Sequence, residues 1–268
     1  MLSLDKQLLF LVSSAGGIEV KRLVEIYEAR EVDHQVVRNA LLRLKKDGYL
    51  RSSERSKYEI TEQGLDFITA INQKSLLLGR AWDGQWLTVM FEVPESERKK
   101  RDALRGDLLQ LGFGALHKGV YISPWDYADE VIRFAKQYEI EERLTIMRGV
   151  FVTRQPQPDL VKRLWPIDEL NHVYRAKIEW YRTAFASTVT PLLRDPADGL
   201  ALFVRFLELG ELLANLSLND PMLPAELLDE DWLGKSSFEE MQQGLSQLAE
   251  AIPADSPYRT FVHRFTQA

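Results

Sequence analysis

Six polar side chains share one side of a helical pattern at residues 34–47: His34, Gln35, Arg38, Asn39, Arg43 and Lys46. The Arg fork matches the paired acceptors of guanine, and Asn or Gln amides match the donor–acceptor edge of adenine. These types at this spacing point to base-edge contacts in duplex DNA. Val37, Leu41 and Leu44 recur at i, i+4 and i+7, so they must turn the other way, into a core. Arg51, Arg55 and Lys57 follow in a short polar stretch, where cations suit backbone phosphates and fix position rather than sequence. A merely solvated amphipathic helix explains Lys45 and Lys46. It explains less well why Gln35, Arg38, Asn39 and Arg43 lie together beside a basic hairpin; a winged helix that binds protein is the alternative to one that binds DNA.

The elements that must hold this face can be read around it. Leu4, Leu8, Leu9, Leu11 and Val12 make a first helix, stopped by Gly16-Gly17. A second helix covers 19–29. Asp33 is placed to cap the third. Tyr49-Leu50-Arg51 and Tyr58-Glu59-Ile60 alternate as two strands joined by a polar turn at 52–56, and Thr61 caps a further helix. Helix, helix, helix, strand, turn, strand is the order of a winged helix-turn-helix, expected here over residues 1–76.

Residues 76–84 form an edge, and the apolar run WLTVMFEV at 86–93 reads as a buried strand. A charged helix over 95–111, a strand at 120–122, a helix over 127–139 and a strand over 144–152 complete a β-α-β-α-β order. That order suits a ferredoxin-like α/β sandwich over residues 77–155. Beyond Pro156 the patterns are helical, so an all-α domain is expected over 156–268, with Leu202, Phe206, Leu209 and Leu213 on one face. The DPMLP segment carries two prolines and cannot be a helix interior. The fold class expected is thus α+β multidomain.

Composition narrows the function further. The chain has 268 residues and no run apolar enough to span a membrane. It contains no cysteine, which excludes disulfides, iron–sulfur clusters and thiolate zinc sites. With four scattered histidines, no metal site is expected. The apolar start lacks a basic n-region and is interrupted by Asp5 and Lys6, so it reads as a helix and not a signal peptide. The cytoplasm is the expected location. The net charge of −6 is unevenly spread. Residues 159–268 hold ten Lys/Arg against 17 Asp/Glu, whereas residues 33–58 hold seven against three. A local basic patch is what phosphate contacts need.

Three stretches together resemble the bacterial PaaX-type repressors, regulators of phenylacetic acid breakdown. They are RNALLRLKKDGYL with SKYEITEQG, the run WDGQWLTVMFEVPESERKKRDALRGDLLQLGFGALHKGVYISP, and DPMLPAELLDEDWLG. The resemblance spans nearly the whole chain in order. It implies a homodimeric repressor of an aromatic-acid operon that binds operator DNA and releases it when an aryl-CoA thioester such as phenylacetyl-CoA binds. It also implies a central part similar to small ferredoxin-like CRISPR-associated nucleases. No resident cofactor is expected.

An acyl-CoA needs cations for its phosphates, a stacking surface and an apolar slot. Arg80, Trp82 and Trp86 lie together in sequence, His117 and Lys118 lie in a strand turn, and Trp125 follows Ser123-Pro124. These six are the expected effector residues, although tryptophans at domain edges often only pack. The nuclease-like relatives suggest an alternative, a metal-dependent phosphodiesterase using Glu92 and Glu95, which would need converging carboxylates and a metal. No nucleophile elbow or phosphate-cradling glycine loop is present, so no catalytic residue is assigned and the chain is not expected to be an enzyme.

Overall fold

Capping residues set the end of the first N-terminal helix and the start of the third. The computed structural model describes residues 3–54, 56–152 and 158–266. Helix α1 is Leu4–Ala15, and Gly16 at φ 66° closes it in the left-handed conformation that glycine tolerates. Strand β1 (Ile18–Glu19), helix α2 (Val20–Glu28) and helix α3 (His34–Lys46) follow. The Asp33 carboxylate accepts from the Gln35 amide N–H at 2.7 Å and starts α3, as its position before the apolar pattern required. Strands β2 (Leu50–Glu54) and β3 (Lys57–Ile60) lead to helix α4 (Glu62–Asn72). Thr61 Oγ1 accepts from the Gly64 amide at 3.1 Å and donates to the Gly48 carbonyl.

Two expectations are corrected here. The strands run closer to the turn than their apolar alternation indicated, because backbone pairing continues through polar Ser52, with an irregularity between Ser52 and Glu54. A third strand, β1, is present. Its two residues pair Ile18 with Tyr58 and Glu19 with Lys57, giving an antiparallel sheet in the order β1-β3-β2. Two residues are too few to leave a periodic signal.

Backbone contacts divide the chain into two compact units. One comprises residues 1–73, 175–216 and 236–268; the other comprises 74–174 and 217–235. The C-terminal third therefore contributes to both. In the first unit, α1 packs on α3 and α4, and Leu8, Leu11, Leu23, Ile26, Tyr27, Val37 and Leu41 are buried.

The rest of that unit is helical. Its parts come from α8 (Ile167–Trp180), a π-helical turn at Tyr181–Phe185, α9 (Ala186–Arg194), α10 (Gly199–Asn219), α11 (Gly234–Ala251) and α12 (Arg259–Val262). Leu202, Phe206, Leu209 and Leu213 are all buried, and Phe203 stacks on Tyr258 and Phe261 with centroids 5.4 and 5.1 Å away. Helix α12 meets α1. A buried polar contact joins α10 to the first helices: Arg30 donates to Glu211 Oε2 and to Gln7 Oε1, each at 2.7 Å.

The second unit holds β4 (Trp86–Phe91), α5 (Arg98–Leu111), β5 (Gly114–His117), β6 (Val120–Ser123), α6 (Ala128–Gln137), β7 (Leu144–Gly149) and α7 (Pro158–Leu164). The strands form one antiparallel sheet in the order β5-β6-β4-β7. The β-α-β-α-β order is thereby corrected to β-α-β-β-α-β. Strand β5 was not foreseen because Gly114–His117 has no β-branched residue and merges with the glycine-rich turn. Gly119, at φ 73°, makes that hairpin possible, since a Cβ there would lie 2.7 Å from the Phe91 carbonyl oxygen.

One set of sheet residues, Leu87, Val89 and Tyr121, packs with Leu104, Leu108, Val131 and Ala135 of α5 and α6. Trp86 and Ile122 instead join Val161, Trp165, Ile167, Leu223 and Leu227. Alternation along a strand sends neighbours to opposite faces. The 217–235 segment is thus part of this unit's core. The chain is α+β and multidomain, as expected.

Candidate nucleic-acid interface

Helix α3 is amphipathic because Val37, Ala40, Leu41 and Leu44 recur at helical spacing and are all buried. The opposite side is left to solvent. His34, Gln35, Arg38, Asn39, Arg43 and Lys46 are all exposed there, so the structure brings together the whole helical set read from the sequence. Gln35 Nε2 donates to Asn39 Oδ1 at 3.0 Å, one turn along, which aligns the two amides. The His34 ring nitrogen Nδ1 lies 3.9 Å from carboxylate oxygens of Glu28 and Asp33. Lys45 Nζ donates to Ser52 Oγ at 3.0 Å and ties the helix to β2.

Arg43 differs from its neighbours. Its Nε and Nη2 donate to the two oxygens of Asp5 at 2.8 and 2.5 Å. The fork is thus occupied by a carboxylate from α1, and that bonding raises the guanidinium's already high pKa. Sequence reasoning missed this partner, which lies 38 residues away. It also missed Leu42, whose side chain is 58% exposed among these polar groups, and Val36 at 51%. Leu42 falls between the buried Leu41 and Leu44, and Val36 just before the buried Val37, so the 3.6-residue phase could have placed both away from the core.

In the hairpin, Arg51 Nε and Nη2 donate to Glu59 Oε2 at 3.2 and 3.0 Å. Ser53 and Arg51 hold the Glu59 carboxyl below the usual range. Lys57 is half-buried. Arg55 lies outside the described residues.

The six expected effector residues, all in the second unit, fall into three places. Arg80 stands over the ring of Trp125, 5.9 Å from its centroid. Trp125 itself is buried and donates from Nε1 to the Met222 carbonyl at 2.6 Å. Trp82 meets Trp86 edge-on at 5.0 Å, and Trp86 is buried against Trp165, with centroids 6.3 Å apart. The Trp82 N–H is satisfied by the Gln85 carbonyl.

His117 and Lys118 lie at the β5–β6 turn, where they line an open cleft of about 1520 Å³ with Arg98, Arg101, Arg105 and Arg143. Phe91 and Tyr121 are stacked in the same lining, 5.5 Å apart. His117 also borders a smaller pocket of about 450 Å³ formed by Leu116, Phe151, Leu160 and Leu164.

Glu92 and Glu95 line the larger cleft too. Glu95 accepts from Arg101 at 2.8 Å, and this contact holds its carboxyl below the normal range. Among the described residues, no three His, Cys, Asp or Glu side chains are grouped to hold a metal ion. Among them, too, no helix is long and apolar enough to cross a membrane.

The fold and this surface define an α+β multidomain protein with an uncovered polar helix face near its N-terminus. Comparison with known proteins places that class more narrowly. Descriptions of a single family match in order: "PaaX-like protein" over residues 8–64, "PaaX protein central Cas2-like domain" over 79–161 and "PaaX-like protein C-terminal domain" over 165–255. The chain belongs to the PaaX-type family. It is 27% identical over 233 residues to the transcriptional repressor PaaX of Escherichia coli strain K12, covering 83% of this chain and 71% of that protein. The expectation of a regulator and not an enzyme agrees with that relative's name. The solved uncharacterized protein Rv0674 from Mycobacterium tuberculosis has the same fold, with a TM-score of 0.61 at 20% identity over 91% of this chain and 94% of that one.

Proposed function

We propose that the chain is a DNA-binding transcriptional repressor of an aromatic-acid, phenylacetate-type catabolic operon. The observation that carries this reading is the set of polar side chains exposed together on α3, the third helix of the chain. Three helices followed by the β2–β3 hairpin read as a winged helix-turn-helix. In that reading α3 enters the major groove, Arg38, Asn39 and Gln35 meet base edges, and Lys57 with Arg51 and Arg55 holds phosphates. Two copies would read a two-fold-related operator in the cytoplasm. The β-α-β-β-α-β unit reads as ferredoxin-like. The similarity to a curated repressor supports the same function.

The effector is an aryl-CoA thioester such as phenylacetyl-CoA. The cleft beside His117 and Lys118 suits its phosphates through Lys118 and Arg105, with Arg98, Arg101 and Arg143 already paired to Asp102, Glu95 and Glu97, and the adjoining apolar pocket suits its aryl group. Release requires that the thioester favour the DNA-free arrangement, and the shift is bounded by that preference. Purified protein should retain duplexes selected from genomic DNA and drop them on addition of phenylacetyl-CoA but not free CoA. Retention of no duplex over background would end the repressor reading, whereas retention without release would end only the effector assignment.

A further inference from the structure

The outer line of α3 contains an apolar side chain where its neighbours are polar. At about 100° per residue, Gln35, Asn39, Leu42 and Lys46 lie diametrically opposite Val37, Leu41 and Leu44. Leu42 is 58% exposed at the middle of that line. Single exposed leucines are common on protein surfaces; this one stands between an amide and an ammonium on the face that the proposed function turns toward the groove. Thymine's C5 methyl is the apolar feature that a base pair presents in the major groove.

The neighbouring amides fix what lies next to it. The Gln35 side-chain N–H donates to Asn39 Oδ1. With that bond made, the Asn39 amide hydrogens and the Gln35 carbonyl oxygen remain to meet a base. One donor beside one acceptor complements N7 and N6 of adenine. Leu42 lies three residues beyond Asn39, about 4.5 Å along the axis, close to one base-pair step of about 3.4 Å.

We propose that Leu42 is a specificity residue that packs on the C5 methyl of a thymine, one step from an adenine read by the Gln35–Asn39 pair. The inference rests on the DNA-binding reading above and adds to it the identity of a base. The thymine is distinguished from cytosine by its methyl group and not by hydrogen bonding to this residue.

Deoxyuridine tests this directly, since it pairs as thymine does but lacks the methyl. A duplex selected by the full-length protein from a random pool is resynthesised with each thymine replaced in turn. Wild-type protein should lose about fourfold in affinity at one thymine per half-site, the value of about one buried methylene-sized group. Leu42→Ala should bind the unmodified duplex about that much more weakly and be indifferent to deoxyuridine there, while Leu42→Met keeps the discrimination. Thermal unfolding of each variant, unchanged from wild type, confirms that the effect is local. If the wild type tolerates deoxyuridine everywhere, or Leu42→Ala remains as sensitive as the wild type, the assignment to Leu42 is wrong although the protein binds DNA. Failure of the wild type to select any duplex would remove both readings together.

Discussion

Arg43 of α3 holds Asp5 of α1 through two hydrogen bonds, Nε to Oδ2 and Nη2 to Oδ1. These bonds use two of the guanidinium's five N–H donors, and the carboxylate offsets the positive charge that a phosphate would meet. Arg43 therefore braces the DNA-facing helix against its neighbour in the free protein. Asp5→Ala should release it, strengthening binding to all duplexes and steepening the salt dependence by about one phosphate contact. Arg43→Ala should leave the salt slope as it is. A slope reduced by about one in Arg43→Ala would mean that the pair opens on DNA.

Arg38 and Asn39 behave differently: among the described residues neither is bonded to a carboxylate, and Asn39 accepts from Gln35. Each Ala variant is expected to lose roughly 1–3 kcal/mol on the selected operator and to relax preference at one base position. Lys57→Ala should weaken selected and unrelated duplexes alike. Fluorescence anisotropy against both kinds of DNA separates the outcomes; uniform losses for Arg38→Ala would make it a phosphate contact.

Arg30 and Glu211 form the counterpart inside the first unit. Both are largely covered, and the second Glu211 oxygen, Oε1, is buried without a hydrogen-bond partner. Removing one charge strands the other. Arg30→Met should cost about 3–5 kcal/mol, the range for breaking a buried pair, and Arg30→Met/Glu211→Leu should recover most of it. Urea unfolding of the singles and the double gives the cycle; additive losses would show that the two are not coupled.

Lys74 is buried, and its ammonium donates to the carbonyls of Gln110 and Leu218 near the ends of α5 and α10. Burial pulls its pKa down from 10.5 to about 8, with the Asp220 carboxylate opposing. Burial also raises the pKa of Asp220, against the hydrogen bonds it accepts from Tyr174 and the Met222 amide. Between about pH 8 and 10.5 the unfolded chain holds the Lys74 proton that the folded protein has released. Stability from this group must then rise with pH across that window. The urea midpoint difference between wild type and Lys74→Met should move in favour of the wild type from pH 7.5 to about 9.5. A constant difference would show that Lys74 stays charged throughout.

The helix that presents the candidate site was legible because burial leaves a period. Val37, Leu41 and Leu44 fixed its inner side, and geometry then fixed the outer side. Asp33 and Thr61 marked ends because each satisfies a backbone group locally, and Gly16 because it tolerates the left-handed conformation. What depends on distant partners was not legible. Nothing near Arg43 announces Asp5, and nothing near Trp125 announces the Met222 carbonyl that fixes it. Likewise, Arg80, Trp82 and Trp86 are close in sequence, yet Trp86 turns into a core with Trp165 while Arg80 stands over Trp125. Proximity along a strand entry cannot tell which face a side chain takes unless the register is known.

The layer over Trp86 and Ile122 includes Leu223 and Leu227, more than a hundred residues downstream. On the ribosome, therefore, the central sheet emerges long before its cover has been synthesised. Two large apolar side chains must wait, open to chaperones and to other nascent chains, until residues near 235 leave the exit tunnel. A shortened gene product ending at residue 155 would keep every strand of the sheet and still be a sticky, unfinished body.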